Sequence, residues 1–149
     1  MHIRGLFGLG LALQVKTSTY LHLYQRSVHP LLQVQFSVLA ERLVDHPLFW
    51  YLFAYLDTEK MCLGDPLFLV PSAIVHKHGF LKQEAGRWHI EVQARMSPTA
   101  HDVWAPWQVL SRDLGKRVLE IIREAMKNPT AQLPSHLGEA PGLLFVGGR

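Results

Sequence analysis

The stretch "LQVKTS", residues 13–18, sets an amide, Gln14, and an ammonium, Lys16, two positions apart inside an apolar run. In an extended strand alternate residues share a face. Gln14, Lys16 and Ser18 therefore project together, and Leu13, Val15 and Thr17 take the other side. Lysine is rarely fully buried without a partner, so its place in such a strand poses a chemical question. One answer is metal-assisted cleavage of a phosphodiester. The first side chain and the main-chain carbonyl of the middle residue offer oxygens to a hard cation such as Mg²⁺. The lysine then holds the attacking water or the charge developing on phosphorus. An ammonium about 4 Å from a unit negative charge is worth about 4 kcal/mol at an effective dielectric of about 20. Realised only in the transition state, that is on the order of a thousandfold in rate. The three residues alone are also ordinary at a sheet edge.

The elements that must position this pair are read from periodicity. "LALQVKTST", 11–19, and "LLQVQFSV", 31–38, alternate as strands do. "LAERLVDH", 39–46, is composed like a short helix. "PLFWYLFAYLD", 47–57, is apolar on both parities and predicts a central strand buried on both faces. "TEKMCLGD" predicts a turn, "PLFLVPS", 66–72, a short buried strand, and "AIVHKHGF" a helical turn. "QEAGR" reads as a turn and "WHIEVQARM", 88–96, as an alternating strand. A helix is expected from about Trp107 to Met126, with Leu110, Leu114, Val118, Ile121, Ile122 and Ala125 as its apolar stripe. From Asn128 onward Pro, Gly and Ser predict an irregular tail in which "LLFV", 143–146, docks on a sheet edge. The reading is one α/β domain over residues 1–127, a mixed central sheet flanked by helices, with a tail over 128–149.

Composition narrows the classes. Of 149 residues, 48% are apolar and 18% charged, which is a globular balance. Cys62 is the only cysteine, which excludes an intrachain disulfide and a cysteine zinc site. No apolar run approaches the roughly 20 residues that span a bilayer, and a cytoplasmic location is expected. Arg4 followed by "GLFGLGLAL" is only a weak match to a secretory leader, because "QVKTST" continues it as a strand. The net charge of +3 is modest, but no Asp or Glu precedes Glu41, whereas Arg4, Lys16 and Arg26 do, with His2, His22 and His29. Such a segment accommodates a polyanion, and Arg26 is one expected nucleic-acid contact within it.

In order, "LQVKTS", the aromatic "FWYLFAYLD", "DPLFLVPS", "WHIEV" and "DVWAPW" ahead of a terminal amphipathic helix resemble a known group over roughly residues 11–126. They resemble prokaryotic members of the PD-(D/E)XK nuclease-like superfamily whose third motif is written Q-V-K. The resemblance implies a restriction-endonuclease-like fold and a phosphodiesterase dependent on Mg²⁺ or Mn²⁺, acting on DNA and more rarely RNA. It implies that Gln14 is a metal ligand, that Val15 lends its carbonyl, and that Lys16 is catalytic. Thr17 and Ser18 fall where hydroxyls meet phosphate oxygens. The chain departs from the pattern in one respect. The superfamily sets an aspartate on the strand before the lysine strand, and often a glutamate on a helix before that, and no acid stands ahead of Gln14 here. The expected explanations are loss of the N-terminal part of the fold or loss of cleavage in a degenerate relative. Supply of an acid by Glu41, Asp57 or Asp65 ranks behind both. A different class of function is a non-catalytic module that binds DNA or a partner chain, or self-associates, at an open sheet edge.

Other residues carry duller expectations. His76 and His78 in "HKH" lack a third ligand and read as surface histidines. "GLFGLG", 5–10, has no strand before it and no lysine after it, so it is no phosphate-binding loop. Ser72 reads as a turn or cap residue, and Trp50, Trp88, Trp104 and Trp107 as core and core rim.

Overall fold

The computed structural model describes residues 11–23 and 29–127 and the strand 143–146. In chain order its elements are β1 (Leu11–Ser18), β2 (Leu21–His22), β3 (Leu31–Leu39), β4 (Phe49–Asp57) and β5 (Cys62–Pro71). Helix α1 (Ser72–His78), β6 (Phe80–Glu84), β7 (Arg87–Arg95), β8 (Gln108–Val109), helix α2 (Leu114–Met126) and β9 (Leu143–Val146) follow. The mixed α/β class expected from the sequence holds.

Strand β4 is apolar on both parities because both of its faces are covered. Phe49, Tyr51 and Phe53 enter one buried cluster, and Trp50, Leu52 and Ala54 enter another. It is the middle strand of a mixed sheet of order β8-β5-β4-β1-β9. β1 runs parallel to it, with Gln14 opposite Tyr51 and Lys16 opposite Phe53, while β5 pairs antiparallel on its other side. A parallel partner needs a crossover. Here the chain uses the crossover to begin a second, antiparallel sheet of order β2-β3-β7-β6.

The two sheets face each other. Ala12, Phe49, Tyr51, Phe53, Phe68 and Val70 of the mixed sheet meet Leu32, Val34, Ile90, Val92 and Ala94 of the second in one core. On the far side of the mixed sheet, Leu11, Leu13, Trp50, Leu52, Leu67 and Leu69 receive Val118, Ile121 and Ile122 of α2. Each such fully buried aliphatic or aromatic side chain is worth about 1.5–3 kcal/mol against exposure. The layers are thus sheet, sheet and helix. A mixed central sheet flanked by helices was expected, and the second sheet takes most of one flank. The reason lies in β3 and β7, whose alternation gives each an apolar inner face. Their outer face is polar: Gln33 and Gln35 donate to the Glu91 carboxylate at 2.7 and 2.9 Å, and Gln93 donates to it as well.

Three local expectations are corrected. Of 39–46, only Ala40–Arg42 is helical, as a single 3₁₀ turn, and the following residues are held open by contacts with α1. β6 was not foreseen. It forms because Ala85 and Gly86 both take positive φ, the geometry of a tight hairpin turn, and fold Phe80–Glu84 back on β7. The last helix starts at Leu114 and not near Trp107. Gln108 and Val109 pair with β5, and the Asp65 carboxylate takes the Ser111 N–H at 2.7 Å and its hydroxyl at 3.1 Å. Leu110 therefore lies outside the helix and is exposed.

Candidate nucleic-acid interface

Ala12 belongs to the core between the sheets, and Leu11 and Leu13 to the core under α2. Alternation carries the Ala12 face on to Gln14 and Lys16, which lie half-buried at the margin between the two sheets. The Lys16 Nζ lies over the Phe36 ring, 5.2 Å from its centroid. Phe36 is in turn 6.1 Å from the ring of Phe53, the residue opposite Lys16 on β4. Burial among these groups pulls the Lys16 amine below the ordinary lysine range, since water is stripped from its charged form. The aromatic face returns part of that loss, about 0.5–2 kcal/mol. No described residue forms an ion pair with Lys16.

The backbone here is open as well. β9 pairs with Leu11–Gln14 and goes no further. The main-chain groups of Val15–Ser18 that point away from β4 thus have no strand partner among the described residues. Val15 and Thr17 are exposed, on the opposite face from Lys16. The Ser18 hydroxyl is already engaged. It donates to the Tyr20 carbonyl at 3.0 Å and accepts the Tyr20 N–H at 3.3 Å, so its one proton is not free for a phosphate oxygen. Arg26 lies outside the described residues, as does the glycine-bearing segment 5–10.

The three acids named as substitutes do not serve Lys16. Glu41 is exposed on the 3₁₀ turn. Asp57 closes its own turn, accepting the Glu59 and Lys60 N–H groups and pairing with the Lys60 amine at 3.3 Å. These contacts, the Lys60 backbone N–H first, hold its carboxyl below the usual range. Asp65 is bound to Ser111. A magnesium ion needs anionic oxygen to offset its dehydration. The strand offers one neutral amide and a main-chain carbonyl, and no group of three or more metal-ligating side chains occurs among the described residues. This donor set does not fit Mg²⁺ or Mn²⁺.

A second polar cluster was missed. His76 is buried in α1, where a surface histidine was expected, while His78 is exposed. Its Nδ1 meets the Asp45 carboxylate, and its Nε2 lies 2.9 Å from the buried Tyr51 hydroxyl. The acid fixes the tautomer with the proton on Nδ1, so Nε2 accepts and Tyr51 donates. Burial lowers the His76 pKa, and the hydrogen bond and charge of Asp45 oppose that fall. The Tyr51 hydroxyl is pushed far up, by burial first and then by Asp45. The pattern offered one signal: a tyrosine in a strand buried on both faces needs a hydrogen-bond partner. Ser72 ties the same region together, accepting the His46 N–H at 3.0 Å and donating to the His46 carbonyl at 3.2 Å. Trp50 and Trp104 are core residues, as expected.

Among the described residues no helix is long and apolar enough to cross a membrane. No family model matches the chain, and no similar protein is found among curated proteins or solved structures.

Proposed function

We propose that this chain is a nucleic-acid-binding domain on a scaffold of the PD-(D/E)XK, restriction-endonuclease-like kind, and that it grips the phosphodiester backbone of DNA at Lys16. One observation carries the reading. Lys16 is a half-buried, partly desolvated ammonium without a carboxylate partner among the described residues, beside the stretch of β1 that β9 leaves open. A phosphate oxygen supplies the missing charge, and the main-chain N–H groups of Val15–Ser18 that lack a strand partner among the described residues supply hydrogen bonds. The mixed sheet, with the Q-V-K strand inside it and α2 on one face, agrees with the scaffold. No described acid pairs with Lys16, and that favours binding over hydrolysis.

The second reading, metal-dependent hydrolysis with Gln14 and the Val15 carbonyl as ligands and Lys16 at the scissile phosphate, has the shared face of Gln14 and Lys16 for it and the neutral donor set against it. One experiment separates the two. Labelled DNA is titrated with the wild-type chain and with Lys16→Met, which keeps the aliphatic stem over Phe36. Single-stranded circular and supercoiled duplex DNA are incubated with each in Mg²⁺ and in Mn²⁺. Binding weakened roughly tenfold by the substitution, with no nicking, is the expected result. Nicking abolished by Lys16→Met establishes the second reading. Binding indifferent to Lys16, with no nicking, removes both.

A further inference from the structure

The chain leaves β1 and enters β2 through Thr19 and Tyr20, crossing from one sheet to the other. Tyr20 is 63% exposed at this crossing, four residues beyond Lys16. A large exposed aromatic on a short connection loses nothing to the core and gains nothing from it. Its place is nevertheless fixed. The Ser18 hydroxyl clamps the Tyr20 N–H and carbonyl together. The His22 ring stands against the Tyr20 ring edge to face, with centroids 4.8 Å apart and planes at 89°. Leu21 and His22 pair with β3, which anchors the far end of the crossing. Tyr20 is thus an oriented ring in solvent, which limits the entropy lost when a flat partner settles on it.

Resting on the reading of Lys16 as a backbone contact, we propose that Tyr20 is a stacking platform for an unpaired nucleobase, and that the ligand of this site is single-stranded nucleic acid. A fixed cation and an exposed ring on one short segment match the alternation of phosphate and base along a single strand. A duplex keeps its bases stacked on each other and has no free face for the ring. The surrounding charge agrees. No acid occurs in the first 40 residues, so nothing in that segment repels the strand. Stacking tolerates any base, so the site discriminates strandedness and not sequence.

The test is anisotropy with fluorescein-labelled oligothymidylate and with a labelled duplex, at fixed low salt. The wild-type chain is expected to favour the single strand by about tenfold, the scale of one base–aromatic contact. Tyr20→Ala removes that preference and leaves duplex binding unchanged, while Tyr20→Phe, which keeps the π face, retains it. Lys16→Met weakens both probes alike. Equal binding of the two probes by the wild-type chain overturns the proposal, and so does single-strand binding unaffected by Tyr20→Ala. Loss of both probes in Lys16→Met alongside either result leaves the backbone contact standing. If neither probe binds, the backbone contact and the platform fall together.

Discussion

Replacing Tyr51 by phenylalanine removes one oxygen from the middle of the molecule and nothing from its hydrocarbon. The Tyr51 ring stays stacked against Phe53, 5.7 Å away at 7°. What changes is His76, whose buried Nε2 loses its one donor among the described residues, the Tyr51 hydroxyl. Leaving a buried acceptor bare costs about 1–3 kcal/mol. For a chain of this length that lowers the melting temperature by about 2–4 °C per kcal/mol. Urea denaturation at pH 8, with His76 neutral, measures it. Tyr51→Phe is expected to lower the unfolding free energy by about 1–3 kcal/mol, seen as a lower midpoint with an unchanged slope. A variant within a few tenths of a kcal/mol of wild type would refute the hydrogen bond and the tautomer assigned to His76. The same histidine makes the fold acid-sensitive. Its folded pKa lies below the unfolded value, so between the two the unfolded chain binds more protons and stability rises with pH. The contribution is present above about pH 6.5 and is lost as pH falls through the folded value, by about 1.4 kcal/mol for each unit of separation.

Further outcomes follow from individual contacts. Asp45→Asn removes the charge that raises the His76 pKa, so the folded value drops further and stability falls more on acidification, read by melts from pH 8 to 5. Asp102→Ala takes the carboxylate from the backbone N–H groups of Arg95 and Trp104, while that of Ala105 keeps the main-chain carbonyl of residue 102, and it costs about 2 kcal/mol in urea denaturation. Ile121→Ala, in the core under α2, costs about 2–5 kcal/mol and leaves DNA affinity of the folded protein unchanged.

The strands around Lys16 were legible because each has a pattern set by its burial. β1, β3 and β7 alternate, and β4 is apolar throughout, and all four lie within two residues of where the pattern places them. The second sheet was not legible. Alternation says that a strand has an inner face, and it does not say whether a helix or another sheet covers that face. β6 was hidden because "FLKQE" carries too little β-branched content, and its pairing depends on the turn at Ala85 and Gly86. The start of α2 was hidden because a distant carboxylate, Asp65, claims Ser111. At the candidate site, the shared face of Gln14 and Lys16 could be read from spacing. The aromatic wall of Phe36 could not, since it comes from a strand of the other sheet. The Asp45–His76–Tyr51 chain joins three segments, so no local pattern announces it.

The contact between Lys16 and a phosphate is tested most directly by salt. Binding constants for DNA are measured across a range of ionic strengths for the wild-type chain and Lys16→Met, and the slopes of log K against log salt are compared. Loss of one phosphate contact reduces the slope by about 0.7–0.9, and that is the predicted difference. Parallel lines with the same slope would mean that the ammonium beside Phe36 never meets the nucleic-acid backbone.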